Sequence, residues 1–295
     1  RSTLFPYTTL FRSVKLAFVC DSTLQVNEEF CKNYPLSIVP LEVRLDDELY
    51  EDNVTITPEE FYKKINSGMK PSTSQPSVGK ILEVYENLKA QGFERIVAFT
   101  VTSKLSGTYS SFTQASELIE GIDIKIIDTL QVARIVGCAV EKIIKDFSNG
   151  NLAYENIEDE CRKLLKQQNI LVTIENMDFL YAGGRLTKTQ FLLSNFLNIL
   201  PIITIKDGIL DVSGKHRGMS KVLTKICEEI KEKDPKSLII LYTTDELLKK
   251  AQDVVAKTFG NIETEAIIIS PVIGTHAGPR AVGIGYNLTD RKSVV

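Results

Sequence analysis

RIVAFTVTSKLSGTYSS, residues 95–111, carries the reading from which the fold follows. Arg95 to Val101 is a short run of apolar, β-branched and aromatic residues, the signature of a buried strand. The residues after it are rich in hydroxyls with a single glycine, and a helix is expected from there to about Glu120. A strand that ends in a polar cluster and turns into a helix is half of a β-α-β unit. On these residues alone, Ser106 fits three roles: nucleophile, helix cap, or receptor for the negative charge of a ligand.

The same rhythm extends on both sides. Upstream, VKLAFVC (14–20) is an apolar strand ending at the turn cluster Asp21-Ser22-Thr23, and LSIVPLEVRL (36–45) is an extended run broken by Pro40. A helix starts after Thr57, where Thr at the cap, Pro58 at the first helical position and Glu60 three residues on form a capping box. KPSTSQPS (70–77), with two prolines, reads as a loop. The following helix places Val78, Ile81, Leu82, Tyr85 and Leu88 on one face. Downstream come a strand at 122–128 and a helix at about 132–147. Alternating strands and helices imply a parallel sheet with right-handed crossovers. In such sheets ligands collect beyond the carboxyl ends of the strands, and Asp21-Ser22-Thr23, Thr102 to Ser106 and Asp128-Thr129 all sit there.

A polar connector, SNGNLAYEN (148–156), divides the chain into an expected N-terminal domain, 14–150, and a C-terminal domain, 157–289. The second half predicts strands at 170–176, 237–243, 262–270 and 281–286, and a hairpin over 200–214 turning at Asp207-Gly208. Two helices present Val222, Leu223, Ile226, Cys227 and Ile230, and Leu247, Leu248, Ala251, Val254, Val255 and Phe259. The expected class is α/β in both halves, a parallel sheet first and a mixed sheet second.

With 43% hydrophobic and 25% charged residues in 295, the chain can bury a sizeable core. A net charge of −3 supplies neither a nucleic-acid-binding surface nor a polybasic membrane face. The five cysteines are scattered with no Cys-x-x-Cys pair, which predicts reduced thiols in a cytoplasmic protein. No apolar run is long enough to span a bilayer, and no secretory leader is expected. There is no G-x-x-x-x-G-K-[ST] loop, no G-x-G-x-x-G after a strand and no G-x-S-x-G elbow, so neither nucleotide cofactor nor α/β-hydrolase chemistry is indicated. His216 and His276 have no neighbour at metal-ligand spacing, so no metal and no cofactor is expected. The acidic pairs Asp46-Asp47 and Glu59-Glu60 read as solvated faces. What remains, hydroxyls, helix starts, glycines and one isolated histidine, suits binding an anion better than breaking a bond. A helix N-terminus capped by Ser106, with Gly107 letting a ligand come close, offers free N–H groups.

Five motifs in order, DST after the first strand, STSQPS, SKLSGTYSS, LYAGGRLT and GTHAGP followed by AVGIGY, resemble the DegV family, the fatty-acid-binding subunits of bacterial fatty acid kinase. The resemblance covers 14–289. It implies a long-chain fatty acid buried between two α/β domains and presented to a separate kinase subunit that makes the acyl phosphate; the binding subunit itself has no ATP site. Carried over, the carboxylate site falls on Thr73, Ser106 and His276, with Ser74, Gly107 and Thr108 beside them. Arg217 in GKHRG matches a basic loop position near the kinase encounter. Asp21, Ser22 and Thr23, and Gly183, Gly184 and Arg185, match family motifs without an assigned contact. Arg280 departs from the family's usual glycine, and either tightens anion binding or points to solvent. Set against this are a serine hydrolase using Ser106 and His276, a phospholipid or sterol transport module in which the carboxylate site is incidental, and a ligand-free partner of a kinase.

The terminal strings RSTLFPYTTLFRS (1–13) and DRKSVV (290–295) resemble translated adapters from sequencing libraries, and the first methionine is Met69, so the true start is expected upstream. These segments are expected to add nothing to the core. Deleting either one should leave the melting temperature within a few degrees of the full chain, measured by calorimetry; a larger fall would show that they pack on the fold.

Overall fold

The computed structural model describes residues 15–186 and 199–289; the terminal segments discussed above and Val14 lie outside them. Three sheets organise the described residues. The first contains β1 (Leu16–Asp21), β2 (Leu36–Val39), β6 (Arg95–Thr100) and β7 (Asp123–Asp128) in the order β2-β1-β6-β7, every pair parallel. All six residues of β1 are buried, as expected for a parallel strand covered on both faces. Ala17 and Val19 point to a core shared with α3 (Val78–Ala90) and α4 (Thr108–Glu117), while Leu16, Phe18 and Cys20 point to α5 (Arg134–Ser148) on the other face. Alternation across the strand decides which side chain meets which layer. The carboxyl ends of β1, β6 and β7 meet at one edge, so the three polar clusters expected there do converge.

The connector 148–156 leads into α6 (Ile157–Lys166). A six-stranded mixed sheet follows, built from β8 (Gln168–Ile174), β9 (Ile199–Lys206), β10 (Ile209–Arg217), β11 (Ser237–Tyr242), β12 (Glu263–Ile268) and β13 (Ala281–Asn287), in the order β10-β9-β8-β13-β11-β12. Only β11 and β12 pair in parallel. The β9–β10 hairpin turns at Asp207-Gly208, both at positive φ (51° and 83°), the geometry that Asp-Gly favours in a two-residue turn. Helices α8 (Met219–Lys231) and α9 (Asp245–Phe259) cover one face, using the apolar residues their periodicity predicts. The opposite face, with Ile170, Ile174, Ile203, Ile205 and Leu241, joins α5 and the first sheet in one continuous core. On that face β13 carries Gly285, where a Cβ would lie 2.7 Å from the Ile135 side chain, so the glycine lets α5 approach the sheet. Among the described residues no helix is long and apolar enough to cross a membrane.

The third sheet is a finding that the sequence did not lead us to expect. β3 (Glu42–Leu45), β4 (Glu48–Glu51) and β5 (Pro71–Ser74) form a small antiparallel sheet in the order β4-β3-β5, with α2 (Pro58–Asn66) packed on it. The capping box of α2 is present as expected: Glu60 N donates to Thr57 Oγ1, and Thr57 N donates to Glu60 Oε2. Residues 71–74, expected as part of a loop, are instead the edge strand β5. An edge position tolerates Pro71, whose missing N–H removes no ladder bond there.

Candidate functional site

A cavity of about 150 Å³ lies where the carboxyl edge of the parallel sheet faces the inner side of the mixed sheet. Val101, Leu105, Val132 and Ala133 line it from the first half; Ile170, Val172, Ile174, Ile203, Ile205 and Leu241 line it from the second. Its polar residues are few. Thr73, Ser106, Arg185 and His276 are among them, and three of these, Thr73, Arg185 and His276, also line a surface depression of about 550 Å³ outside. They therefore form the wall between an apolar interior and an open mouth.

Each arrives by a different local device. Thr73 sits on β5, where strand alternation turns it inward and turns Ser72 and Ser74 outward. His276 lies in the last turn of α10 (Pro271–Ala277), a short helix begun by a proline. The loop expected around Thr73 is thus corrected to a strand, and a helix supplies His276. Thr73 Oγ1 and His276 Nε2 are 2.9 Å apart. Burial, and secondarily the charge of Arg185, pushes the His276 pKa down to about 4, so the ring is neutral at pH 7. Its Nδ1 has no hydrogen-bond partner among the described residues. Ser106 precedes the N-cap of α4, which is Gly107 and not Ser106 as expected. The Ser106 hydroxyl instead pairs with Thr108 Oγ1 at 2.8 Å and accepts from Thr108 N at 3.3 Å.

Other expected positions fall elsewhere. Ser74 donates to Glu42 Oε2 at 2.8 Å on the outer face. The room left by Gly107 is taken by a side chain of the protein, not held for a ligand: a Cβ there would lie 1.8 Å from Gln75 Oε1. Gln75 is itself held by Ser111 Oγ at 2.9 Å. Arg280 neither enters the cavity lining nor points free to solvent. It pairs with Glu175 at 2.5 Å and Glu246 at 3.1 Å, which a sequence shows no sign of, because these partners lie 105 and 34 residues away. Arg217 ends strand β10, exposed and outside the cavity lining, where a loop was expected.

Arg185 is the site residue whose place the sequence left open. Its Nε donates to the Leu105 carbonyl at 3.0 Å and its Nη1 to the Gly183 carbonyl, which fixes the guanidinium beside Ser106 and His276 along the cavity. Burial lowers its pKa. Asp21, from the opening motif, is fully buried and serves the backbone: it accepts from Thr23 N at 2.9 Å and Val101 N at 2.6 Å, joining two lining segments. Burial raises its pKa to about 6. No group of three or more His, Cys, Asp or Glu side chains able to hold a metal occurs among the described residues.

Comparison with known proteins adds kinship to this geometry. The sequence profile of a family described as "Uncharacterised protein, DegV family" matches residues 15–288. A DegV domain-containing protein of Caldanaerobacter subterraneus is 32% identical over 279 residues, covering 92% of this chain and 98% of that protein. Among solved structures, a DegV family protein from Thermus thermophilus described by its fatty acid binding superposes with a TM-score of 0.83 at 26% identity, over 93% of this chain and all of the other. A Thermotoga maritima protein described as revealing a fatty acid binding function gives 0.79 at 27% identity, over 94% of this chain and all of that one.

Gly183 tests how tightly the wall is set. A Cβ there would lie 2.2 Å from His276 Nδ1, although the backbone of Gly183 is ordinary helix that alanine accepts. Gly183→Ala should therefore displace the imidazole and cost about 1–3 kcal/mol by urea denaturation, the range for overpacking. Unchanged stability together with an unchanged His276 ring resonance would show that the ring has room to move.

Proposed function

Since the chain belongs to the DegV family, we propose that it binds a long-chain fatty acid, held between the halves 14–150 and 157–289, with the carboxylate at Thr73, Ser106 and His276. The observation that carries this reading is the cavity: apolar residues from both halves, with hydroxyls, a neutral imidazole and one guanidinium gathered at the wall next to the mouth. The fatty acid binding described for the Thermus and Thermotoga relatives points the same way. Each methylene taken out of water contributes about 0.8 kcal/mol, so a tail of about sixteen carbons contributes on the order of 10 kcal/mol before association costs. The tail supplies affinity and the polar wall fixes the head. The Ser106 and Thr73 hydroxyls donate to the carboxylate, and Arg185 supplies positive charge along the same wall.

On this reading the chain is a lipid-binding subunit, and a separate kinase subunit reaches the carboxylate through the mouth to form the acyl phosphate. The geometry of the described residues favours this reading over the rival serine hydrolase. His276 Nε2 faces Thr73, Nδ1 has no carboxylate to orient it among the described residues, and Ser106 pairs with Thr108.

Protein purified from bacteria should carry fatty acid at near one per chain by mass spectrometry of the extracted lipid. Ser106→Ala should weaken binding by about 1–3 kcal/mol, the cost of leaving a buried polar partner unmatched. Lipid-free protein that also fails to bind added fatty acid would overturn the reading.

Arg217 separates lipid binding from transfer. Exposed at the end of β10, its planar fork suits a phosphate or an acidic partner surface. Arg217→Ala is expected to keep fatty acid binding and to lower acyl phosphate formation with the partner kinase, both measured on one preparation. Loss of lipid binding would place the residue's role in the pocket, and unchanged values in both assays would remove it from the transfer.

A further inference from the structure

The small sheet stands apart from the rest of the fold. Leu41, Val43, Leu45, Ile56, Phe61, Tyr62 and Ile65 form their own apolar core, and the described chain outside it contributes only Val272, with Ile268 and Ile273 at the margin. These three belong to α10 and the strand end just before it. The sheet also supplies Leu41 and Thr73 to the cavity, opposite Val272, Ile273 and His276 of α10. Among the described residues, 41–74 thus form a unit whose apolar grip is one short helix and the strand end before it, and that helix carries the histidine of the proposed head site. The unit begins after Pro40 and ends before Gln75-Pro76, so a stiff residue lies beyond each end.

The seam between unit and helix is close. Gly274 of α10 has no side chain, and a Cβ there would lie 2.5 Å from the Tyr62 hydroxyl and 2.9 Å from the Phe61 ring. Tyr62 Oη donates to the Ile269 carbonyl at 2.9 Å. Leu41 N donates to Ser22 Oγ at 3.1 Å. Val272 N, an orphan donor in the first turn of α10, is satisfied by Asp52 Oδ1 at 3.0 Å, from 220 residues away. The ion pairs of Lys80 with Glu42 and Glu51 also cross from α3 to the unit, but they are partly exposed and weak.

Asp52 makes this seam metastable. The residue is 1% exposed, yet its Oδ2 and the nearby Ser270 Oγ are both buried with no well-aligned hydrogen-bond partner among the described residues. A carboxylate removed from water and only partly compensated disfavours the closed arrangement. The groups around it offset this only in part: the hydroxyls of Ser22 and Ser270 face the carboxylate and favour its charged form, while burial and the like charge of Asp21 outweigh them. Across the adjacent depression Arg134 is already engaged by Glu141 and Glu265, and Glu28 and Glu59 add negative charge.

We propose that residues 41–74 are a hinged flap over the cavity, latched to α10 through Asp52, and that its opening admits and releases the lipid. This rests on the fatty acid reading for its cargo but not for its motion. Burial raises the Asp52 pKa from the usual carboxylate value to about 6. The closed state therefore binds the extra proton, and the contribution of Asp52 to closure is fully present below the ordinary carboxylate pKa and lost as pH rises through about 6. At pH 7.5 the latch is at its loosest.

Two measurements on the full chain decide the matter. Hydrogen exchange of the lipid-free protein should show the amides of β3 and β5 opening together, faster than those of β1 and β6, and slowing between pH 7.5 and 5.5 after correction for intrinsic rates. Asp52→Asn keeps the acceptor for Val272 N, removes the charge and adds a donor toward Ser270. It should slow flap exchange at pH 7.5 about tenfold, the equivalent of one pKa unit, and flatten its pH dependence. Tyr62→Phe removes one seam bond and should speed it. With a pyrene-labelled long-chain fatty acid transferred to phosphatidylcholine vesicles, release should follow the same order, Tyr62→Phe fastest and Asp52→Asn slowest. Flap amides that exchange as slowly as β1 and β6, or release rates equal in all three proteins, would overturn the flap. Failure of the probe to bind at all would count against the fatty acid reading alone, because the exchange measurement needs no lipid.

Discussion

The 2.9 Å contact between Thr73 and His276 joins two parts of the chain that share no sheet, and it constrains what can surround it. Burial and the nearby Arg185 lower the pKa of this half-buried imidazole to about 4, so the ring is neutral at pH 7. Neutrality in turn lets one ring nitrogen meet a hydroxyl without a carboxylate nearby. For the ring to sit against the strand, α10 must begin where Asp52 can satisfy its first turn, Gly274 must leave room for Phe61 and Tyr62, and Gly183 must leave room for the ring itself. One hydroxyl–imidazole contact thus explains two glycines and a buried acid that would otherwise look unrelated.

Burial acts in the same direction on most ionisable groups near the cavity. It raises Asp21 and Asp52 to about 6 and lowers His276 to about 4, each toward its uncharged form. Arg185 is lowered too, but a guanidinium starts so far above neutrality that it remains charged. Among the described residues the result is an apolar chamber with a fixed cation, Arg185, at its wall, which on the fatty acid reading complements a ligand with a long neutral body and one negative end. The two acids and the histidine have opposite consequences for stability: the acids favour the folded state as pH falls through about 6, while the histidine opposes it as pH falls toward 4.

The parallel sheet, the Asp-Gly hairpin, the capping box and the apolar helix faces were legible because each is a local pattern. Phe18, Val97 and Ile226 are buried for reasons visible within a few residues of themselves. β5 was not legible: four residues with a proline and three hydroxyls give too short an alternation to outweigh loop composition, and its pairing with β3 is what makes it a strand. The small sheet was missed for the same reason. Thr73, Ser106 and His276 could be singled out from motifs, but their meeting at one cavity depends on tertiary packing. Arg280 shows the limit most plainly, since an arginine beside a candidate anion site looks like a ligand group until its two glutamates are seen. Gly107 is similar, its vacancy filled by Gln75 from another segment.

The hairpin tip offers one more consequence. Gly208 accepts a hydrogen bond from Thr102 Oγ1 at 2.9 Å, so the loop that leads to Ser106 is braced by residues 106 positions later in the chain. The last lining residue, Ala277, comes later still. During synthesis the parallel sheet can assemble as soon as β7 has emerged, but Val101, Leu105 and Val132 then face water with nothing to cover them. At about 5–20 residues per second, the ribosome needs on the order of ten seconds to deliver the chain from Val132 to Ala277. For that interval the nascent protein displays half of a greasy chamber, a surface that chaperones and neighbouring nascent chains can both reach before the second half closes over it.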